Sequence, residues 1–289
     1  MPAIQMSNVS VVYKGSKESA LDQITLEVEE GEMLLLLGRN NSGKSTFCRL
    51  LNGLVPHSIP STLTGAAAVF GKDISRGKVA SLSTSVGMVF QEPESQLFCM
   101  SAEEEIAFGP ENIAVPRAEI VSRVEWALDI VGLRGYNSRS PASLSGGEMQ
   151  RLAIAAALSM HPRMMVLDEP AYALDPVGRE ELYSLLRRLK ERFGMTVIIA
   201  EHGAEEAIQF CDRVVVLAKG RVLADGSPRD ILSDETLFDF AGVSAPQLSR
   251  LSSIMRRRSL GTGSSIHTID DAVREVQDAI STGGQEVPR

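Results

Sequence analysis

The sequence has 289 residues, of which 44% are hydrophobic and 23% are charged. Its 29 Lys and Arg residues stand against 37 Asp and Glu residues, which gives a net charge of −8. This composition excludes the disordered class, and the acidic balance argues against nucleic acid as a partner, because a negative surface repels the phosphate backbone. At roughly 150 residues per domain, the length predicts about two folding units.

The N-terminal part of the chain carries strand patterns. Residues 1–30 alternate apolar and polar positions, which is the period of half-buried strands. The apolar run 33–37 predicts a strand buried on both faces, and we expect a helix over 43–52 to follow it. Residues 54–78 suggest a small antiparallel excursion, and 86–90 predicts another short strand.

Residues 101–160 carry helical patterns. Ser101 with Glu104, and Ser145 with Glu148, have the spacing of capping boxes at helix N-termini. Apolar residues at helical spacing between them predict one buried helix face, made of Ile120, Val121, Val124, Ala127, Leu128 and Val131. We expect this helical block to be an insertion into the strand–helix pattern.

The strand pattern returns after the helical block. Residues 164–167 and 196–200 predict buried strands, and Asp175 with Pro176 predicts the N-cap and first position of a helix between them. Strands that alternate with helices indicate a largely parallel α/β sheet.

The composition shifts after Gly242, and residues 243–289 predict a small helical extension. Its first apolar stripe consists of Leu248, Leu251 and Met255. Its second stripe consists of Ile269, Val273, Val276 and Ile280, on a helix capped by Thr268.

The cysteines and the apolar runs bear on location. Cys48, Cys99 and Cys211 form no CxxC pair, which indicates isolated thiols in a reducing compartment. The sequence shows no secretory signal, and its apolar runs are far shorter than the roughly 18 residues of a membrane-spanning helix. We therefore expect a soluble, cytoplasmic protein, so that any membrane role requires a partner.

A phosphate-binding loop follows the buried strand 33–37. The segment matches GxxxxGK[ST], in which backbone N–H groups and the start of a helix surround phosphates. We expect Lys44 to reach the β- and γ-phosphates and Ser45 to hold Mg²⁺. The candidate nucleotide-binding residues of this segment are Gly38, Arg39, Asn40, Asn41, Ser42, Gly43, Lys44, Ser45 and Thr46.

Two carboxylates end the predicted strand 164–167. Asp168 fits a Mg²⁺ ligand, and Glu169 fits an acid that orients or deprotonates water. An acidic helix cap after the strand would explain one of these carboxylates, but it explains the presence of both less well.

The segment LSGGE opens a helix with two glycines, Gly146 and Gly147. Glycine at a helix start costs roughly 1 kcal/mol relative to alanine, so capping alone explains the pair poorly. Together with Ser145 and Glu148, the glycines predict a second anion site. Two phosphate sites in one chain suggest that the second serves a partner's nucleotide.

LSGGEMQR, GRNNSGKST and MMVLDEP together resemble the ATP-binding subunit of an ABC transporter over about residues 1–240. The resemblance implies an α/β fold: a P-loop NTPase (RecA-like) core, an antiparallel β subdomain, and a helical insertion at about 91–160. The expected division is an ATP-binding domain at 1–242 and a C-terminal helical extension at 243–289. It also implies head-to-tail dimers that trap ATP and Mg²⁺ between two subunits.

The same resemblance implies further roles. Tyr13 matches the aromatic residue that stacks on adenine, and Gln91 matches the glutamine that senses Mg²⁺, water and the membrane partner. His202 matches the histidine that contacts the γ-phosphate, and the segment 173–175 matches the dimer-interface loop. The implied catalytic set is therefore Glu169, His202, Gln91 and Lys44, and the implied metal set is Ser45, Gln91 and Asp168.

This sequence departs from the family pattern at two places near the implied catalytic residues. Ala171-Tyr172-Ala173 stands where the family usually has Thr, then Ser or Ala, then Gly or Ala. Glu201 stands where Thr or Ser is common before the histidine. Neither departure removes a catalytic group.

Residues 89–98 and 106–112 are similar to ATPases of energy-coupling-factor transporters, which import vitamins and transition-metal ions. This similarity implies an enzyme that hydrolyses ATP at the cytoplasmic face of the membrane, with a second ATPase subunit and a transmembrane subunit as partners. The second ATPase subunit could be identical or related. The apolar residues near 91–98 could equally be core residues or form a groove for the transmembrane subunit.

Two alternatives remain from the sequence. An ABC-type ATPase acting on DNA or the ribosome is disfavoured by the single cassette, the acidic balance and the lack of zinc-binding cysteines. A nucleotide-dependent clamp with a degenerate partner site would hydrolyse little ATP itself. The presence of Glu169 and His202 favours a hydrolysing subunit.

Overall fold

The computed structural model describes residues 2–203, 205–258, 260 and 269–283. The strands are β1 (Pro2–Tyr13), β2 (Leu21–Glu29), β3 (Met33–Leu37), β4 (Ser61–Val69), β5 (Lys72–Asp73), β6 (Val86–Val89), β7 (Met164–Asp168), β8 (Thr196–Glu201), β9 (Arg213–Ala218) and β10 (Arg221–Gly226). The helices are α1 (Lys44–Leu51), α2 (Leu54–His57), α3 (Val79–Ser83), α4 (Pro93–Gln96), α5 (Ala102–Asn112), α6 (Arg117–Ile130), α7 (Gly146–Leu158), α8 (Pro176–Phe193), α9 (Pro228–Ser233), α10 (Glu235–Ala241), α11 (Gln247–Arg257) and α12 (Ile269–Gly283).

The larger sheet has the strand order β10-β9-β3-β8-β7-β6. Strands β9, β3, β8, β7 and β6 run parallel, whereas β10 pairs antiparallel with β9. This arrangement confirms the predicted largely parallel α/β sheet. Because parallel strands end at the same edge of a sheet, the residues that follow β3, β6, β7 and β8 lie close together there.

The smaller sheet is antiparallel, with the order β2-β1-β4-β5. It contains the two N-terminal strands and the predicted excursion at 54–78. It packs with α1 against one face of the larger sheet, where Phe47 and Leu50 are fully buried.

The central strand β3 is apolar throughout because both of its faces are buried. Leu34 and Leu36 face the core shared with the smaller sheet and α1. Leu35 and Leu37 face the opposite core, which includes the inserted helices and α8. Each fully buried leucine side chain contributes about 1.5–3 kcal/mol of transfer free energy, so both faces of this strand stabilise the fold.

The helical block lies between β6 and β7 and consists mainly of α5, α6 and α7. The capping box at Ser145 and Glu148 is complete, as predicted. The box predicted at Ser101 is only half formed: its Oγ accepts from the N–H of Glu104, but the Glu104 carboxylate accepts from Met100 N at 3.1 Å. Val121 is 52% exposed, although the sequence pattern placed it on the buried face. It lies about 100° around the helix from its buried neighbour Ile120.

The C-terminal helices α11 and α12 pack on each other through Met255 and Ala272. The predicted apolar stripe of α12 lies on the exposed side of the helix, where Val273, Val276 and Ile280 are found. The side of α12 that carries Ala272 and Ala279 packs against α11 instead. Thr268 and the side chain of Ile269 lie outside the described residues.

None of the helices in the described part of the chain is long and apolar enough to cross a membrane.

Candidate functional site

The loop between β3 and α1 is shaped by glycines at two tight contacts. Gly43 has a φ of 109°, and a Cβ there would lie 2.6 Å from the carbonyl oxygen of Ala20. A Cβ at Gly38 would lie 2.5 Å from the carbonyl oxygen of Leu217. Because side chains at these positions would clash with backbone, the glycines allow the loop to fold tightly over the start of α1.

A cleft of about 480 Å³ lies over this loop. It is lined by Tyr13, Ala20, Asn40, Asn41, Gly43, Lys44, Ser45, Thr46, Arg49, Gln91 and Glu169. The structure thus brings together residues from β1, the phosphate loop, α1 and the ends of β6 and β7. Arg49 was not predicted, although its position four residues after Ser45 on α1 places it on the same helix face.

Three residues of the predicted loop set do not line the cleft. The Arg39 side chain lies beside Gly242, since its Cδ would be 3.0 Å from a Cβ added there. Ser42 is buried, and its Oγ has no hydrogen-bond partner among the described residues. Gly38 forms the buried start of the loop.

Tyr13 forms one wall of the cleft at the end of β1. Its hydroxyl and the Thr46 hydroxyl are 2.9 Å apart and share a hydrogen bond. This contact joins the smaller sheet to the start of α1 and holds the Tyr13 side chain beside the phosphate loop.

Asp168 lies at the end of β7 and is 3% exposed. Burial raises the pKa of its carboxyl above the ordinary value, while a hydrogen bond with the Ser45 side chain opposes this shift. Its Oδ1 has no hydrogen-bond partner among the described residues. A buried carboxylate oxygen without a partner, next to a hydroxyl, fits Mg²⁺, which binds one or two protein carboxylates and completes its shell with phosphates and water.

Asp168 does not belong to a cluster of carboxylates. Within the described ranges, no group of three or more His, Cys, Asp or Glu side chains could hold a metal ion. The arrangement therefore fits a cation that arrives with a phosphate ligand better than one held by protein alone.

The Glu169 carboxylate contacts the other three predicted catalytic residues. Its carboxylate oxygens lie 3.2 Å from Lys44 Nζ, 3.1 Å from Gln91 Nε2 and 3.4 Å from His202 Nδ1. These three partners come from α1, the end of β6 and the end of β8. Their convergence follows from the parallel sheet, which places the ends of β6, β7 and β8 side by side.

Lys44 is folded back over the loop in this structure. Its Nζ donates to the carbonyl oxygens of Gly38 at 2.7 Å and Arg39 at 3.2 Å. Together with Glu169, these acceptors compensate an ammonium group whose side chain is only 3% exposed.

The LSGGE segment opens α7 apart from the cleft. None of Ser145, Gly146, Gly147 and Glu148, all of which the structure describes, is among the residues that line the cleft. Hydrogen bonds from Ser145 N, the Tyr136 hydroxyl and Ser145 Oγ lower the pKa of Glu148 to about 2. The Glu148 carboxylate is therefore engaged in capping the helix.

Packing among the residues that the structure describes gives no reason for the two glycines. A Cβ at Gly146 would meet no heavy atom of the described residues within 4 Å. At Gly147 the nearest atoms would be Leu174 Cδ2 at 3.5 Å and Arg151 Nη1 at 3.9 Å, which is ordinary contact. Packing among the described residues therefore does not require glycine at either position.

Residues 21–172 match the ABC transporter family. The chain belongs to the ABC transporter ATP-binding proteins. It is 39% identical over 274 residues to the energy-coupling factor transporter ATP-binding protein EcfA1 of Clostridium novyi, covering 93% of this chain and 96% of that protein. The fold and the ATPase activity expected from the motifs are those of this family.

Two solved structures support the same conclusion. The structure of cbiO1 from Clostridium perfringens, part of the ABC transporter complex cbiONQ, matches with a TM-score of 0.74 and 31% identity, over 88% of this chain and 99% of that one. A dimeric ATP-binding cassette in a post-hydrolysis state, bound to ADP and Pi, matches with a TM-score of 0.69 and 28% identity. That match covers 78% of this chain and 99% of the other.

Proposed function

We propose that this ATPase powers the import of a vitamin or a transition-metal ion through a transmembrane subunit. It works as a dimer at the cytoplasmic face of the membrane, with ATP held between subunits arranged head to tail. The main supporting observation is that the two predicted anion sites are separate. The LSGGE helix start does not line the cleft over the phosphate loop. The similarity to EcfA1 and to cbiO1 of a transporter complex supports the import assignment.

In this proposal, different residues of the cleft bind different parts of the nucleotide. Tyr13 stacks on adenine, and the loop from Gly38 to Thr46 surrounds the phosphates with backbone N–H groups. Lys44 exchanges its carbonyl partners for the β- and γ-phosphates. Mg²⁺ would be held by Ser45, Asp168 and Gln91, and it would neutralise charge that develops on the phosphates.

Hydrolysis uses Glu169 as the general base. The carboxylate takes a proton from the attacking water, which is a role that requires hydrogen-bond distance to that water. Gln91 and His202 flank the carboxylate and orient the water and the γ-phosphate. Lys44 balances negative charge on the phosphate side of the same cleft.

The second subunit completes the site. Ser145, Gly146 and Gly147 at the start of α7 present N–H groups and the positive end of a helix to the partner's γ-phosphate. Glu148 holds the cap in shape rather than contacting phosphate with its carboxylate. The loop at 173–175 lies at the interface, and Asp175 also caps α8 through the N–H of Gly178 at 2.7 Å.

The transmembrane subunit docks beside Gln91. Phe98 and Met100 are 65% and 81% exposed on the segment that follows α4. The buried carboxylate of Glu105 fixes this segment by accepting from the N–H groups of Phe98 and Cys99 at 2.9 and 2.8 Å. The Phe98 ring also meets Phe108 edge to face, with centroids 4.8 Å apart. We assign this apolar surface to a short helix of the transmembrane subunit.

Dimer formation tests the head-to-tail arrangement. The Glu169→Gln protein should bind ATP, hydrolyse it slowly and accumulate as a dimer, measured by light scattering after size exclusion. Adding Gly147→Asp should abolish the dimer, because a carboxylate would face the partner's γ-phosphate. Ser122→Asp, on the exposed surface of α6, is the matched control. A dimer that persists with Gly147→Asp contradicts the arrangement.

The bound solute tests the import assignment. The complex with its membrane subunits should be purified, and its small molecules identified by mass spectrometry and elemental analysis. A vitamin or a transition-metal ion is the expected result. Recovery with ribosomes or DNA instead of membrane subunits contradicts the proposal.

A further inference from the structure

Glu201 is a buried carboxylate at the catalytic edge of the sheet, and the roles assigned above do not use it. It ends β8, directly precedes His202 and is 4% exposed. Its Oε1 accepts a hydrogen bond from the Tyr183 hydroxyl at 2.9 Å and from the N–H of Ala171 at 3.3 Å. A carboxylate at this depth requires such donors, because burying a polar group without partners is strongly unfavourable.

The contact with Ala171 reaches the segment that carries Glu169. Glu169 has a φ of 49°, in the left-handed region that residues other than glycine occupy only when their surroundings hold them there. Its own N–H donates to the carbonyl oxygen of Ala200 at 2.8 Å. Strand β8 thus holds this segment at two places, through the Ala200 backbone and through the Glu201 side chain.

The contact with Tyr183 adds a third element. Tyr183 lies on α8 and is 2% exposed, so its hydroxyl is fixed in the core beside Glu201. One carboxylate oxygen therefore connects β8, the segment after β7 and the helix α8. The observed hydrogen bonds of this side chain go to Tyr183 and Ala171, and not to the side chains that line the nucleotide cleft.

We propose that Glu201 is a positioning residue for ATP hydrolysis. Through Ala171 and Tyr183 it holds the backbone of residues 169–171, so that the Glu169 carboxylate stays within reach of Lys44, Gln91 and His202. The inference rests on the proposed role of Glu169 as the base. Because the Glu201 side chain has no observed bond to the phosphate loop, its loss should lower kcat and leave the KM for ATP unchanged.

Steady-state ATPase kinetics of the purified full chain test this role. Glu201→Leu removes the acceptor and should lower kcat about tenfold or more, since small displacements of a reacting group reduce the rate steeply. Glu201→Gln keeps a carbonyl oxygen for both donors and should retain a kcat close to that of the wild type. Tyr183→Phe removes one donor and should give an intermediate kcat. The unfolding temperature of each variant is measured alongside.

The outcomes separate the possibilities. A folded Glu201→Leu protein with the wild-type kcat overturns the proposal, and so does a loss in Glu201→Gln equal to that in Glu201→Leu. If the leucine variant does not fold, unchanged kcat in Tyr183→Phe overturns it. Wild-type turnover by Glu169→Gln would instead refute the base assignment, whereas loss in that variant with full activity in Glu201→Leu refutes the positioning role alone.

Discussion

At the scale of single residues, the site depends on charges that compensate one another around the buried Glu169 side chain. Glu169 is 7% exposed, and its carboxylate meets a cation, an amide and an imidazole. In the proposed mechanism, nucleotide binding redistributes these contacts, because phosphate oxygens are better partners for Lys44 than backbone carbonyls are. The Glu169 side chain is then available to water.

Replacing Glu169 by glutamine should slow ATP hydrolysis. The amide has nearly the same shape but cannot accept the proton, so kcat should fall about 10²–10⁴-fold while ATP binding persists. Phosphate release and equilibrium nucleotide binding measure the two effects. Glu191→Gln, on the exposed side of α8, is the matched control. Unchanged turnover would show that another group acts as the base.

The stability of the folded chain should depend on pH through Glu201. Burial raises the pKa of Glu201 from 4.5 to about 7, although hydrogen bonds from Tyr183 and Ala171 oppose this. Between these values the folded chain retains a proton that the unfolded chain releases. The unfolding free energy therefore decreases as pH rises through this window, by about 3 kcal/mol in total.

Denaturant unfolding near pH 5 and pH 8 measures this effect. Glu201→Gln lacks the titrating group, so its stability relative to the wild type should increase over that interval. The comparison with the wild type cancels the titration of other groups. A difference that does not change with pH would show that Glu201 has an ordinary pKa.

At the scale of elements, the start of α7 combines helix capping with the proposed second anion site. The reciprocal hydrogen bonds of Ser145 and Glu148 satisfy the helix terminus. A Cβ added at Gly146 or Gly147 would meet open space or ordinary van der Waals contacts. Glycine is unfavourable in a helix, and packing among the described residues does not require it at these two positions.

Gly147→Ala tests that element directly. Alanine fits sterically and favours the helix, so the unfolding free energy should stay the same or rise by up to about 1 kcal/mol. ATPase activity should nevertheless fall about tenfold or more, because the added methyl group prevents close approach of the partner's nucleotide. Denaturant unfolding and phosphate release measure both effects. Ser122→Ala is the control, and full activity in Gly147→Ala would contradict the role in trans.

At the scale of the whole molecule, the proposed site of hydrolysis lies at one edge of the sheet, and the proposed docking surface lies on the segment between α4 and α5. Gln91 connects them, because it contacts Glu169 and precedes the segment with Phe98 and Met100. A movement of the docked helix could therefore reach the catalytic carboxylate through a few residues.

Replacing Phe98 and Met100 by serine tests the docking surface. The double variant should lose co-purification with the membrane subunits, since it removes exposed apolar contact area, while ATP binding remains. Phe240→Ser is the matched control, because Phe240 is 79% exposed on α10. Full assembly of the double variant with the membrane subunits would show that the docking surface lies elsewhere.

Much of the local structure was predictable. The apolar run of β3, the loop around Gly43, the cap at Asp175 and the box at Ser145 are encoded by neighbouring residues. The half-formed capping box at Ser101 was not predictable, because the Glu104 carboxylate can accept from Met100 N instead of Ser101 N. The face of α12 that packs was not predictable either, because it depends on the position of α11. Arg49 was missed in the sequence, and Glu201 was recognised there only as a departure from the family pattern, because its contacts with Ala171 and Tyr183 depend on the fold.

The sequence by itself determined the main strands and helices up to β8, the phosphate loop and the family, because periodicity, capping and motif spacing are local properties. It did not reveal β9, β10, α9 and α10. Only the tertiary structure decided that Gln91 and Glu169, 78 positions apart, share a hydrogen bond, and that Glu201 holds Ala171 from 30 positions away. Such contacts depend on the parallel order of the strands and on packing across the sheet. Local patterns constrain neither in atomic detail.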